Sequence, residues 1–280
     1  CNRFILRESE FGFQSFTEPY RKVVVEEVRL RIDKFRFSPD NISFQLFSMS
    51  LNDSRGFYLN GLSAEFRQTG SDIFIDNLHL ETLNSRIESP QIAYTQQPMP
   101  GSDETVGDLD VHLAPSLISM ADLSLFVPAL EGMDQLLEVS GQISGNIQNL
   151  KARKFEIKTG TDTRISGDFA MNYIPGFGEP FLFLELREAR TNFRDLSNIR
   201  LPDISNVRNL KFPEQLYQAG NFNYRGNFTG FLSDFVVYGT LDSRMGRIKT
   251  DISITPDTAS HIRYRGRLET TGFRLESLLQ

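Results

Sequence analysis

Alternation of apolar and polar residues at a period of two is the feature that most constrains the fold of this chain. Residues 28–32 alternate Val, Leu and Ile with Arg, and residues 42–46 alternate Ile, Phe and Leu with Ser and Gln. Successive side chains of a strand point to opposite faces, so each run has one apolar face and one wet face. This predicts antiparallel sheet, because parallel strands are usually buried on both faces. The same alternation recurs around residues 155–157, 169–173, 182–186, 252–254 and 262–264.

Turn residues separate many of these runs, and helical spacing is rare. Apolar residues approach helical spacing only near residues 115–130 and 213–218, which we predict to be short helical plugs over a sheet end. The predicted fold class is therefore all-β, with an antiparallel-rich sheet. Turn chemistry, in which Gly and Asn supply positive φ and Pro presets the turn, appears at residues 38–41, 60–61, 69–71 and 255–257.

A weak internal repeat accompanies the strand pattern. The motif at residues 84–87 recurs at 162–165 and 242–245, with its arginines at Arg86, Arg164 and Arg244. Each copy follows one apolar strand and leads into another. The near-equal spacing predicts a sheet module that is repeated along the chain and extends by stacking.

Composition narrows the function classes. The chain has 280 residues, a net charge of −6 and no dense Lys/Arg block, so nucleic acid is not an expected partner. It contains 24 Phe and 8 Tyr but no Trp. Phe has no polar group and prefers fully apolar surroundings, so this usage indicates a large apolar inner surface. No stretch reaches the roughly 18–20 apolar residues that span a bilayer as a helix.

The sequence offers no recognisable catalytic or metal-binding motif. His79, His112 and His261 are far apart in sequence, whereas a metal site needs three or four convergent ligands. Cys1 has no evident activating partner. No nucleophile-elbow, Walker A or dinucleotide-binding pattern occurs. We therefore predict a protein that is not an enzyme and that uses no cofactor and no metal.

Six stretches share strand patterns, and two of them carry the punctuation G-x-(F/I/L)-x-G, at Gly141–Gly145 and Gly226–Gly230. With these patterns the chain resembles the periplasmic region of TamB-like (AsmA-like) translocation and assembly module proteins of Bacteroidetes-type bacteria. The resemblance covers most of the chain and includes no catalytic signature. The six stretches are residues 28–66, 121–130, 139–150, 165–173, 224–235 and 264–275.

The resemblance implies a long twisted sheet curled into a groove, a β-taco, with an apolar inner face. Residues 1–97 would form one sheet module, residues 98–138 a loop and short helix, and residues 139–280 further modules that continue the same groove. The resemblance also implies a periplasmic location and an inner-membrane anchor helix upstream of this sequence. Because the chain starts in strand-like sequence without Met, we expect a fragment; the alternative is a lipoprotein acylated on Cys1.

The implied role is phospholipid passage between the inner and outer membranes, outer-membrane protein assembly, or both. The implied partners are phospholipid acyl chains and, through regions outside this sequence, an outer-membrane barrel. A groove of this kind needs an apolar lining. Our candidates for the lining are Phe44, Phe57, Phe66, Phe169, Phe222, Phe228 and Phe235.

Other readings of the same residues stay open. Without the resemblance, the residues alone favour a closed β-sandwich whose core the seven Phe side chains fill. A carbohydrate-binding or adhesion β-sandwich would use exposed Trp or Tyr platforms, which this composition does not favour. A fragment of an outer-membrane β-barrel has the same period of two with its apolar face outward, and the absence of Trp argues against its aromatic girdle.

Overall fold

The computed structural model describes residues 3–14, 22–98, 105–146, 148–174, 179–200, 209–231, 233–258 and 261–272. The chain divides into two compact units, Cys1–Glu131 and Gly132–Gln280. The predicted all-β, antiparallel fold is confirmed in both units.

The described residues of the first unit form seven strands. Each pairs antiparallel with the strands next to it in sequence, and hairpin turns join most of the neighbours. The strands are β1 (Arg3–Gln14), β2 (Lys22–Ser38), β3 (Asn41–Asp53), β4 (Tyr58–Thr69), β5 (Asp72–Thr82), β6 (Arg86–Pro98) and β7 (Thr105–Ser119).

In the second unit, the residues that the structure describes form eight strands with the same connectivity. Its strands also pair antiparallel in sequence order. They are β8 (Leu136–Gly145), β9 (Asn149–Thr159), β10 (Thr163–Asn172), β11 (Phe181–Thr191), β12 (Phe222–Gly230), β13 (Phe235–Ser243), β14 (Gly246–Thr258) and β15 (His261–Thr271).

Short helical segments follow β7 and β11. Plug 1 consists of α1 (Met120–Ser124) and the 3-10 turn Pro128–Leu130, and plug 2 consists of α2 (Phe193–Asn198) and the 3-10 turn Glu214–Ala219. Both predicted helical plugs are therefore present. The first begins later than residue 115, because residues 115–119 continue β7. We did not predict α2, which Asn192 caps by accepting a hydrogen bond from the backbone N–H of Asp195.

Two predicted turns are wrong, whereas the three copies of the predicted repeat do lie at the turns β5–β6, β9–β10 and β13–β14. Residues 60–61 lie within β4, where a register shift accommodates Gly61, and residues 255–257 lie within β14. Arg86 and Arg164 occupy equivalent places just after a hairpin turn. In the third copy the residue at this place is Arg247, because Arg244 lies in the turn itself. Each equivalent Arg precedes an Ile that pairs with an apolar residue of the preceding strand. The pairs are Ile87–Leu80, Ile165–Ile157 and Ile248–Leu241.

Bulges bend the strands at five residues that adopt positive φ although they are not glycine. Their φ angles lie between 51 and 57°, and each coincides with a shift in strand register. A bulge inserts an extra residue into one strand, bends it and increases the local twist. The sheets are therefore curved locally by their own backbone and not only by strand twist. The five residues are Glu8, Glu27, Lys34, Asn77 and Lys154.

A polar cluster fixes the bulge in β9. The backbone N–H of Lys154 donates to Asp168 Oδ1 at 2.6 Å. Arg187 donates to the same carboxylate and to the carbonyl oxygen of Gly167, the latter at 3.0 Å. One carboxylate thus satisfies the N–H group that the bulge removes from the strand ladder, as a stable irregularity requires.

The buried apolar side chains of the described residues are concentrated at the plugs. Among the described residues, the buried apolar side chains are Val28, Leu59, Met120 and Ala219. Met120 and Ala219 belong to the plugs, and Leu59 pairs with Thr82, which contacts plug 1. The described strands of each unit form one sheet whose apolar side chains are mostly half-buried. The described parts therefore lack the interlocked two-layer core of a filled β-sandwich.

Candidate functional site

A continuous apolar ladder crosses the sheet of the second unit. Its members are cross-strand neighbours from β8 to β14, and such neighbours share one face of a sheet. All seven side chains are half-buried. This ladder, called ladder 2 below, consists of Ile143, Ala152, Phe169, Leu184, Phe228, Val237 and Ile252.

The first unit carries a ladder of the same kind from β3 to β7. Its side chains are also half-buried, and the strands alternate so that polar residues occupy the other face. Gln45, Glu65 and Asp76, for example, are neighbours on that polar face. This second set, called ladder 1 below, consists of Phe44, Phe66, Ile75, Ile92 and Val111.

Five of the seven predicted lining residues lie on or beside the ladders. The rings of Phe44 and Phe66 stack with their centroids 4.8 Å apart and their planes at 18°. The rings of Phe228 and Phe235 lie 4.6 Å apart. Phe169 lies between Ala152 and Leu184 in ladder 2. Aromatic pairs in these geometries add about 0.5–1.5 kcal/mol beyond the burial of their area.

The other two predicted lining residues lie under the plugs. Phe57 meets Phe126, next to plug 1, edge to face with a centroid distance of 5.2 Å. Phe222 lies 4.9 Å from Phe193 of α2, which also contacts Phe212 at 5.0 Å. The protein's own aromatic rings therefore contact Phe57 and Phe222, and both side chains are half-buried.

The glycines near ladder 2 stand where neighbouring atoms leave no room for a side chain. A methyl group on Gly239 would lie 2.4 Å from the hydroxyl oxygen of Tyr224. In the G-x-(F/I/L)-x-G motifs the nearest atoms belong to the backbone: a methyl group on Gly145 would lie 1.9 Å from the carbonyl oxygen of Asn149, and one on Gly230 would lie 2.3 Å from that of Asp234. Glycine within a strand often marks such close approach. The motif glycines thus allow neighbouring backbone segments to approach each other closely.

The polar groups of the described residues form no recognisable catalytic centre. His79 contacts Glu88 through Nδ1 at 2.5 Å, on the polar face of β5 and β6. His112 lies in β7, 3.8 Å from Asp110. Within the described ranges, no three His, Cys, Asp or Glu side chains come together as a possible metal site. His261 begins β15, and Cys1 lies outside the described residues.

The helices of the described part are short. None of them has the length and apolar character that crossing a membrane requires.

In the described residues of each unit, an antiparallel sheet of one layer carries an apolar ladder on one face, and aromatic rings near the plug pack at its turn end. Comparison of the chain with protein-family models, with curated proteins and with solved structures found no match.

Proposed function

We propose that this chain is a non-enzymatic segment of a TamB-like cell-envelope protein whose ladders bind phospholipid acyl chains. One observation carries the proposal. The two contiguous apolar ladders are only half-buried, whereas the buried apolar side chains of the described residues lie mainly at the plugs. Contiguous exposed apolar surface usually marks a binding site. Acyl chains suit it, because each CH₂ removed from water contributes about 0.8 kcal/mol.

The chemistry of the ladders favours a ligand that needs no fixed orientation. Their members are Phe, Ile, Leu, Val and Ala, none of which has a side-chain hydrogen-bonding group. A hydrocarbon tail is held there by contact area alone and keeps its affinity as it shifts from one strand to the next. A soluble ligand with polar groups would lose its hydrogen bonds to water without replacement.

The cellular setting of this proposal comes from the family resemblance. It comprises a periplasmic location, an inner-membrane anchor upstream of this sequence, and passage of phospholipid to the outer membrane or assembly of outer-membrane proteins. Contacts with an outer-membrane barrel would use regions outside this chain.

The proposal is tested by placing a charge on ladder 2 and on the opposite face of the same strand. Phe228→Glu puts a carboxylate into the ladder, whereas Thr229→Glu puts one on the other face, one residue away. We expect the wild-type protein to carry phospholipid after purification, detected by mass spectrometry. Phe228→Glu is expected to reduce bound lipid by at least about tenfold, equivalent to about 1.4 kcal/mol. Thr229→Glu is expected to keep the amount of bound lipid within about twofold of the wild-type amount, a difference well under 1.4 kcal/mol.

Ladder 1 offers an independent pair of variants. Phe44→Glu disrupts the stack with Phe66, and Ser43→Glu is its control, because Ser43 lies opposite Arg67 on the polar face. Circular dichroism and the urea midpoint of each variant show whether the sheet is intact. A wild-type protein that neither carries phospholipid nor takes it up from vesicles would overturn the proposal, as would equal binding by both members of each pair.

A further inference from the structure

The same carboxylate contact occurs once in each unit, at the plugged end. In the first unit, α1 places Asp122 on the hairpin turn between β5 and β6. Its carboxylate accepts hydrogen bonds from Thr82 Oγ1 at 2.5 Å, Ser85 Oγ at 2.6 Å and Asn84 Nδ2 at 3.1 Å. All three donors are uncharged, so the contact is a set of directed hydrogen bonds and not an ion pair.

In the second unit, α2 places Asp195 on the turn between β9 and β10. Its carboxylate accepts hydrogen bonds from Thr161 Oγ1 at 2.8 Å, Thr163 Oγ1 at 2.9 Å and the backbone N–H of Asp162 at 2.8 Å. Asp195 is only 5% exposed. The turn has the same place in the chain order of the two units. In each unit two strands follow the turn, and the plug comes directly after the second of these strands.

Turn 159–163 leaves room for the carboxylate. Gly160 has a φ of 64°, which favours glycine, and a methyl group there would lie 2.7 Å from Asp195 Cγ. Any other residue at 160 would push the carboxylate off the turn. The turn thus provides both the donors and the space that one docked carboxylate needs.

The plug helices depend on such contacts because they are short. α1 has five residues and α2 has six. Isolated helices below about 12–15 residues are marginal in water, so a helix of this size is held by what it docks on. Besides the carboxylate, plug 2 is held by the contacts of Phe193 with Phe212 and Phe222.

We propose that Asp122 and Asp195 are latches that hold the two plugs closed over the turn end of the apolar sheet face. Releasing a latch frees the plug and uncovers Phe57 in the first unit or Phe222 in the second, while the strand pairing stays intact. The uncovered ring extends the apolar surface toward the turn end. This last step rests on the proposed binding of acyl chains, whereas the latch itself does not.

The latch is tested by hydrogen exchange of the full chain with Asp195→Asn and Asp195→Ala. We expect the amides of residues 193–198 to exchange at least about tenfold faster in both variants, equivalent to about 1.4 kcal/mol. The exchange rates of the amides of β12 and β13 should stay within about twofold of the wild-type rates, a difference well under 1.4 kcal/mol. The control is Asp162→Asn, which changes a carboxylate in the same turn that is not part of the latch.

Three results would overturn the latch. Residues 193–198 could exchange at the wild-type rate in both variants. The control could exchange as fast as Asp195→Asn. The exchange rates of strand amides in the second unit could rise together with those of the plug in Asp195→Asn. Asp195 would then stabilise the whole sheet and would not act as a latch.

A second readout separates the latch from the proposed function. Palmitate carrying a diazirine is photolysed with each protein, and the labelled peptides are identified. We expect Asp195→Asn to gain label at Phe222, with Phe228 labelled in both proteins. Label at Phe228 with no gain at Phe222 would overturn the uncovering step. No label anywhere in the wild type, together with faster plug exchange in Asp195→Asn, would overturn acyl-chain binding and leave the latch standing.

Discussion

The plugged ends and the ladders contain similar apolar residues, but different parts of the chain pack against them. At the plugged ends, Phe57 and Phe222 contact aromatic rings from the loop and helix segments around the plugs, and Leu59 and Met120 are buried. In the ladders, the described side chains contact cross-strand neighbours of the same sheet and stay half-buried. A single sheet cannot fully bury its own face, so further burial requires another segment to be docked on it. The position of the plugs therefore determines which of the described apolar side chains are buried.

The strongest test of this difference compares the same substitution in the two regions. Leu59→Ala removes a side chain that is 6% exposed, and we expect it to lower the free energy of unfolding by about 2–4 kcal/mol. Leu184→Ala in ladder 2 should lower it by only about 1 kcal/mol, because that side chain is already partly in water. Urea unfolding of both variants measures the two values. Equal losses would mean that ladder 2 is packed as tightly as the plugged end.

Acid should weaken the plugged end of the second unit through Asp195. Burial alone would raise the pKa of this carboxyl, but hydrogen bonds from the backbone of Asp162 and from Thr161 and Thr163 outweigh it and lower the pKa below 3.8. A lowered pKa in the folded state stabilises the fold above the ordinary pKa, and the contribution disappears as the pH falls through the folded value.

The measurement is the opening free energy of residues 193–198, from hydrogen exchange corrected for intrinsic rates, between pH 7 and pH 2 for the wild type and Asp195→Asn. At pH 7 we expect the plug of the variant to open more readily by at least about 1.4 kcal/mol, because a set of buried hydrogen bonds is lost. The two curves should approach each other below pH 4, because the wild-type carboxylate is then becoming protonated. Curves that stay parallel over the whole range would show that the charge of Asp195 contributes nothing.

Sequence patterns predicted the sheet well because the period of two is a local signal. Residues 28–32 and 42–46 do lie in strands. The start of plug 1 was predicted too early, since Pro115 resembles a helix start but is tolerated within β7. The signal for α2 was present in Asn192, a preferred N-cap residue followed by Asp in the first turn, and was not used.

The candidate site was less predictable, because it depends on contacts between distant residues. The seven Phe positions share an apolar character, but nothing local separates Phe57 and Phe222 from the other five. Their covering rings, Phe126 and Phe193, lie in different elements. Likewise, Asp195 docks on a turn more than thirty residues earlier in the chain, which no local pattern indicates.

A smaller effect is expected within ladder 1. The stack of Phe44 on Phe66 should show a coupling energy of about 0.5–1.5 kcal/mol in a double-mutant cycle with Phe44→Leu and Phe66→Leu. The cycle is measured by urea unfolding. No coupling would mean that the two rings do not stay stacked in solution.

The smallest effect should come from a bulge. Lys154→Gly is expected to stabilise the protein by about 0.5–1 kcal/mol, because Lys154 has a φ of 51°, which glycine adopts without strain. Its backbone N–H, and thus its bond to Asp168, is retained. The control is Arg153→Gly in the same strand, which should destabilise the protein by about 0.5–1 kcal/mol. Destabilisation by both variants to the same extent would argue against strain at Lys154.

Binding of acyl chains to ladder 2 is tested by photolabelling of the wild-type protein from phosphatidylethanolamine vesicles whose acyl chains carry a diazirine. We expect label on Phe169, Leu184 and Phe228 of ladder 2. We expect little label on Tyr238, which is 64% exposed on the opposite face of the same sheet. Label on Tyr238 as strong as on Phe228, or no label on ladder 2, would show that ladder 2 does not bind acyl chains.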